Sequence, residues 1–248
     1  MHHHYRQGFT LLETVIAIGV LAVLLSGFLV VFAPAAAGIR QSINVQQADR
    51  LASALEKEMS TLRPGDPGLP PQSTTGFDKA FEWVLKSNTG NDRLQGAVPI
   101  FVYQYRADVT QELRNDGTRQ PFTASLTGKF AGKDYLVVPM ARRRSDPLFQ
   151  SDLSAVEGAV YLVKAKHLVR NNDKMELGKG GEIKDPRNQQ NPGAKTQAAD
   201  FSEAVLPFAA EFHLMPTKDF NYFSSGTAFE KKFESKTPVF TRNLAATR

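Results

Sequence analysis

The chain has 248 residues, a formal net charge of +5 and no cysteine. Its 42% share of hydrophobic residues is enough to bury a core and excludes a globally disordered chain. The lack of Cys excludes disulfides, zinc–thiolate sites and thiol catalysis. A small positive charge describes a long-range field and does not define a nucleic-acid site.

The amino terminus reads Met1-His2-His3-His4-Tyr5-Arg6-Gln7-Gly8 and turns apolar at Phe9. From Thr14 to Ile39 no side chain is charged, a run longer than the roughly 20 apolar residues that span a hydrocarbon core. Arg6 and the chain amine place the amino terminus on the cytoplasmic side, with Arg40 as an opposing vote. One charge, Glu13, breaks the apolar stretch. A charge at the bilayer centre costs about 2.5–3.5 kcal/mol, so such a carboxylate normally has a partner. Arg6 is about two turns back, outside i,i+4 reach, which points to a partner on another molecule.

Gly8-Phe9-Thr10-Leu11-Leu12-Glu13 resembles the prepilin peptidase recognition motif of type IV pilins and type II secretion pseudopilins. In that motif a short basic leader ends in Gly, the mature chain begins with Phe, and a Glu follows ahead of a long apolar helix. The resemblance implies cleavage between Gly8 and Phe9 by prepilin peptidase and methylation of the new Phe9 amine. It also implies that Glu13 forms an assembly salt bridge with the Phe9 amine of a neighbouring pilin or pseudopilin subunit. Burying either charge alone is costly, so the pair favours docking. The resemblance spans residues 6–33 and little beyond. Two other readings compete. A secretory signal cleaved at Ala35-Ala36-Ala37 has too long an apolar core and contains Glu13. An unprocessed single-pass anchor leaves the joint presence of Gly8 and Glu13 unexplained. The three His residues fall within the leader and are assigned no role.

Pro34 closes the apolar run and predicts a kink or local unwinding. Beyond it Ile39, Ile43, Leu51, Leu55, Met59 and Leu62 recur at helical spacing among polar residues, the pattern of an amphipathic helix with one face on a globular domain. Arg63-Pro64-Gly65 is a stop signal. Residues 64–76 are rich in Pro, Gly, Ser and Thr and read as a connector. A short helix is predicted over 77–86, with Trp83 partly exposed. Strands are predicted over 98–105, 122–126, 135–140, 159–169, 203–214 and 238–241, with alternation clearest in Phe101, Tyr103, Tyr105 and in Ala159, Tyr161, Val163. Residues 170–200 are polar and turn-rich and predict a long mobile surface loop.

The expected organisation is therefore a leader (1–8), a transmembrane and assembly helix (9–34) and an amphipathic helix (35–63). A linker (64–76) and a globular domain (77–248) follow. The expected fold class is α+β, a long amino-terminal helix packed on an antiparallel β-sheet.

No constellation for catalysis stands out, and the chain reads as a non-enzyme. Gly178-Lys179-Gly180 lacks the upstream Gly and following Ser or Thr of a phosphate loop. His167 and His213 sit within apolar strand-like runs and read as structural residues. Asp200, Glu203, Asp219 and Asn221 could supply oxygen donors but match no calcium loop. No metal or cofactor is assigned. Arg142-Arg143-Arg144, the densest basic run, is a candidate nucleic-acid or partner contact, with a solvated turn before Asp146-Pro147 as the plainer reading. Relatives of this kind close their carboxyl-terminal region with a disulfide or a bound calcium; this chain has no Cys, which leaves its device open. Its size leans toward a minor or atypical subunit. The expected role is a structural subunit of a pilus or secretion-type filament, anchored in the inner membrane with its globular domain outside the cytoplasm. The alternative is a membrane-tethered extracytoplasmic module that binds DNA or an envelope ligand and never polymerises.

Overall fold

The structure, a computed structural model, describes residues 10–64, 75–90, 93–122, 135–171, 174–187, 195–224, 226–234 and 236–248. Helix α1 (Leu11–Ser60) is continuous, and the chain divides between Ile43 and Asn44 into two compact units. The expected cleavage pair Gly8 and Phe9 lies outside the described residues. So does most of the strand predicted over 122–126.

In the first unit α1 is apolar all round and its large side chains are exposed, from Leu11 and Leu12 through Leu29 and Phe32. A helix without a polar face is ordinarily buried, in a protein core or in a membrane. Its length and composition allow it to cross a membrane. Local contacts support it: the Ser26 hydroxyl donates to the Ala22 carbonyl, and the Phe28 and Phe32 rings stack one turn apart. α1 runs unbroken through Pro34, so local unwinding, one of the two expectations there, does not occur.

The second unit is an antiparallel sheet between two helical layers. Five strands lie in the order β2 (Tyr135–Arg143), β1 (Ile100–Asp108), β3 (Val156–Asn171), β5 (Val205–Leu214), β6 (Phe240–Thr247). β4 (Lys174–Leu177) pairs with the end of β3. One face is covered by the second half of α1 and by α2 (Gly76–Lys86). The buried stripe of α1 is Ala48, Leu51, Ala52, Leu55 and Met59, all at most 2% exposed, whereas Ile39 and Ile43 are exposed. The packed face therefore begins about two turns later than the apolar spacing suggests, and two alanines in it let the helix approach the sheet closely. Tyr161, in the core beneath it, donates its hydroxyl to the Asn44 carbonyl at 2.8 Å. α2 starts on a capping box in which Thr75 and Asp78 exchange side-chain and backbone hydrogen bonds. Trp83 is 2% exposed, so the expected partial exposure is corrected: α2 buries both flanks, facing α1 on one and the sheet on the other.

The opposite face of the sheet carries a second core, because β1 and β3 alternate two apolar sets. Ile100 and Val102 belong to the first core; Phe101, Tyr103, Tyr105 and Ala107 belong to the second. Three short helices cover this face: α3 (Pro147–Leu153), α4 (Phe220–Ser224) and α5 (Gly226–Phe233). Phe101 and Phe149 stack at 4.7 Å, and Phe223, Phe229 and Phe233 close around them. This aromatic cluster anchors residues 220–233 in a chain without disulfides. Phe223 is fully buried between Phe101, Phe149 and Phe229. Phe223→Ala is expected to cost about 3–5 kcal/mol in denaturant unfolding; a loss below about 1 kcal/mol would remove the cluster as the anchor.

The polar stretch at 170–200 contributes structure to the first core. β4 extends β3 as a hairpin, Ile183 is fully buried, and Asp185 accepts hydrogen bonds from the Ser202 amide and hydroxyl. Gly178 and Gly180 run so close to the His167 carbonyl and to Asn88 that a Cβ would clash. The expectation of a wholly mobile loop is corrected over 174–187 and 195–200; residues 188–194 lie outside the described set.

Candidate functional site

The first candidate site is the start of α1. Thr10 and Glu13 form a reciprocal cap: the Glu13 amide donates to the Thr10 hydroxyl at 3.3 Å, and the Thr10 amide donates to the Glu13 carboxylate at 3.4 Å. Thr10 is the N-cap and Glu13 occupies the third helical position. The spacing Thr-x-x-Glu is visible in the sequence as a capping box, a signal that the reading of Glu13 as a residue without an in-chain partner overlooked. The cap also places the anion at the positive end of the helix dipole. It supplies a weak hydrogen bond and no countercharge: among the described residues no cation pairs with Glu13. The site thus presents a carboxylate turned back toward the chain amino terminus, at the head of an exposed apolar helix.

The second candidate, Arg142-Arg143-Arg144, lies where β2 ends. Arg142 and Arg143 are each 3% exposed. They are not a solvated turn, and neither is presented to a phosphate backbone. Strand alternation sends them to opposite faces of the sheet. Arg142 is the hub of a buried network: its Nε donates to Asp152 at 2.7 Å, and Nη1 to Asp146 at 2.7 Å and to Asp116 at 3.1 Å. Its Nη2 donates to the Thr118 hydroxyl at 3.0 Å. Asp152 accepts in addition from the Tyr103 hydroxyl and from Arg114, each at 2.7 Å. Burial opposes the Arg142 charge, but the surrounding Tyr103, Asp152 and Asp146 oxygens outweigh it and hold the pKa above the ordinary range. Burial, followed by the Asp152 charge, likewise raises Tyr103. At Asp116 burial works upward but loses to hydrogen bonds from Thr118 and to Arg142, leaving the carboxyl below its usual value. Arg143 approaches Glu82 at 3.6 Å on the helical side. Arg144 alone reaches the surface, 3.6 Å from Glu230.

A cavity of about 650 Å³ opens beside this network, lined by Arg63, Leu113, Arg114, Arg142, Asp146 and Leu148 among others. Its charges are already matched. Glu58 pairs with Arg63 and Lys79, Asp116 and Asp146 with Arg142, and Arg114 with Asp152. The network holds the loop after β1 against β2 and α3; its geometry is that of a structural clamp.

The two histidines are buried. His167 accepts from the Lys184 amide at 3.3 Å, and burial lowers its pKa from 6.5 to about 4. It is therefore neutral at pH 7, and the unfolded chain binds the extra proton as the pH falls. Stability from this group is full above about pH 6.5 and is lost toward about pH 4. Replacing it with the uncharged acceptor Gln should flatten the acid limb of a melting-temperature profile in that window. An unchanged limb would show that His167 does not titrate there. His213 lies 4.0 Å from Glu211. Of the oxygen donors considered for calcium, Glu203 is paired with Arg187 and Asp219 caps the Asn221 amide. No group of three metal-capable residues occurs among the described residues.

The fold is α+β, a long amino-terminal helix followed by an antiparallel sheet domain, and the helix begins with a carboxylate-bearing cap. Residues 3–29 match the family model described as the prokaryotic N-terminal methylation motif. The amino terminus is thus a prepilin motif of the type IV pilin and pseudopilin kind, and with its apolar helix it supports a type IV pilin-like precursor. Comparison with curated proteins and with solved structures gave no match.

Proposed function

We propose that this chain is a structural subunit of a type IV pilus or type II secretion-type filament. Prepilin peptidase cleaves it between Gly8 and Phe9, and the Phe9 amine is methylated. The apolar part of α1 holds the subunit in the inner membrane with its amino terminus cytoplasmic. On assembly Glu13 pairs with the Phe9 amine of a neighbour, and Pro34 supplies a bend in the packed helix. The observation that carries this reading is the coincidence, within residues 3–29, of the methylation motif with Glu13 in the first turn of an exposed apolar helix. A second support is the internal pairing of Arg142 within the arginine run, which argues against a nucleic-acid contact there.

Mass spectrometry of the chain recovered from its native membrane tests the reading. The expected product begins at N-methylated Phe9, and Gly8→Val is expected to leave the leader attached. A mature chain that keeps residues 1–8, or one that starts after Ala37, overturns it.

A further inference from the structure

The cations of the carboxyl-terminal helical cover are arranged differently from those elsewhere in the domain. Most buried or half-buried cations have a carboxylate partner, as Arg63, Lys79, Arg114 and Arg142 do. Lys231, Lys232 and Lys236 are exposed and have no carboxylate within 4.0 Å among the described residues. The ammonium groups of two of them rest over rings of the aromatic cluster. Lys232 Nζ sits 4.6 Å from the Tyr222 ring centre and Lys236 Nζ 4.5 Å from that of Phe233. Arg144, the one member of the arginine run at the surface, approaches the intervening Phe229 ring at 5.8 Å. Tyr222, Phe229 and Phe233 are consecutive neighbours, at 6.0 and 5.2 Å between centres, so one aromatic layer carries Lys232, Lys236 and Arg144. Lys218 is also exposed beside this cover, with its Nζ donating to the Val156 carbonyl at 3.1 Å. Against these five stand Asp219, Glu230 and Glu234; Asp219 is engaged in capping and Glu230 pairs with Arg144. The dipole of α5 favours two lysines in its last turn, but it does not account for Lys236.

We infer that this face, centred on Lys231, Lys232 and Lys236, docks on the anionic headgroups of the bilayer that holds α1. The chemistry is charge complementarity: exposed ammonium groups with no carboxylate beside them attract anionic headgroups, and each lysine near an anionic surface strengthens association by about fivefold. The source of the anion follows from covalent connection. A domain tethered to a bilayer meets its headgroups at high effective concentration, whereas other polyanions must arrive by diffusion. The inference rests on the proposed membrane anchoring and is independent of processing or polymerisation.

The chain has no Cys, so Ala228→Cys on the exposed side of α5 gives a single labelling position. The full chain, labelled there with a fluorophore, is reconstituted into vesicles containing headgroup-quencher lipid. One set contains phosphatidylglycerol and the other only phosphatidylcholine. The expected result is quenching several-fold stronger with phosphatidylglycerol, abolished by high salt and by K231Q/K232Q/K236Q. Unchanged thermal unfolding of that variant establishes that its loss of quenching is not misfolding. Equal quenching in both lipids overturns the inference, as does a label that responds to a DNA duplex and not to phosphatidylglycerol. Failure of the chain to float with either vesicle sinks the anchoring itself, a result distinct from flotation without quenching.

Discussion

Asp152→Ala is expected to destabilise the second unit by about 3–5 kcal/mol, among the largest effects of any single substitution in this chain. Asp152 is fully buried and accepts three hydrogen bonds, from Tyr103, Arg114 and Arg142. Its removal leaves two buried guanidinium groups short of an acceptor, and such groups do not shed their charge at accessible pH. The side chain also ties α3 to β1, to β2 and to the loop before residue 120, so the damage extends through the aromatic core. Chemical denaturation followed by tryptophan fluorescence reports on it, since Trp83 borders the same cavity. Asp49, whose bridge to Arg242 is half exposed, serves as the control: Asp49→Ala is expected to change stability by no more than about 0.5 kcal/mol. Similar values for the two variants would sink the assignment of the arginine run to a buried clamp. The clamp also has an acid limit. Asp116 titrates below its unfolded value, so its contribution is present above the ordinary carboxylate range and disappears as the pH falls through the folded pKa.

Glu13→Gln is expected to abolish filament incorporation by at least about tenfold while leaving membrane insertion intact, a change that corresponds to about 1.4 kcal/mol or more per docking event. The substitution separates two roles of the carboxylate. Gln keeps an oxygen that can accept from the Thr10 amide, so the helix cap survives. It removes the negative charge, and with it any pairing with a neighbour's amine. Insertion of the monomer should improve, because a charge near hydrocarbon costs up to about 2.5–3.5 kcal/mol. Glu13→Ala removes both cap and charge, and Glu13→Lys places like charges together. All three should block incorporation. Pull-down of assembled filaments, with a membrane fraction as reference, measures it. Incorporation of the Gln variant at the parental level, with loss in the Ala variant, would make Glu13 a helix cap and nothing more.

The amino-terminal helix was legible in the sequence because its signals are local. An apolar run of that length and a lone Glu depend on neighbours within one or two helical turns; the Thr-x-x-Glu cap is equally local but came to light with the structure. The strands were legible for a similar reason: Phe101, Tyr103 and Tyr105 alternate, and five of the predicted runs overlap observed strands. The boundaries moved where pairing extended them, as in β6, which runs to Thr247 although its apolar signal fades after Thr241. The helices α3, α4 and α5 escaped notice because five to eight residues are too few to display a helical period.

The arginine run shows where local reading stops. From Arg142-Arg143-Arg144 alone, a surface turn is the economical expectation, because isolated charges stay in water. Burial became favourable only when the chain brought Asp116, from the loop after β1, together with Asp146 and Asp152 of α3 and its cap around one guanidinium. The same holds for Trp83, whose exposure depended on α1 and the sheet closing over both flanks of α2. Patterns along the chain were sufficient to establish the membrane-compatible helix, its lone Glu and the antiparallel strands, because each is written in residues a few positions apart. Which charges are buried, and which remain outside to meet a partner, was set by contacts between residues distant in sequence, where desolvation and pairing are decided together.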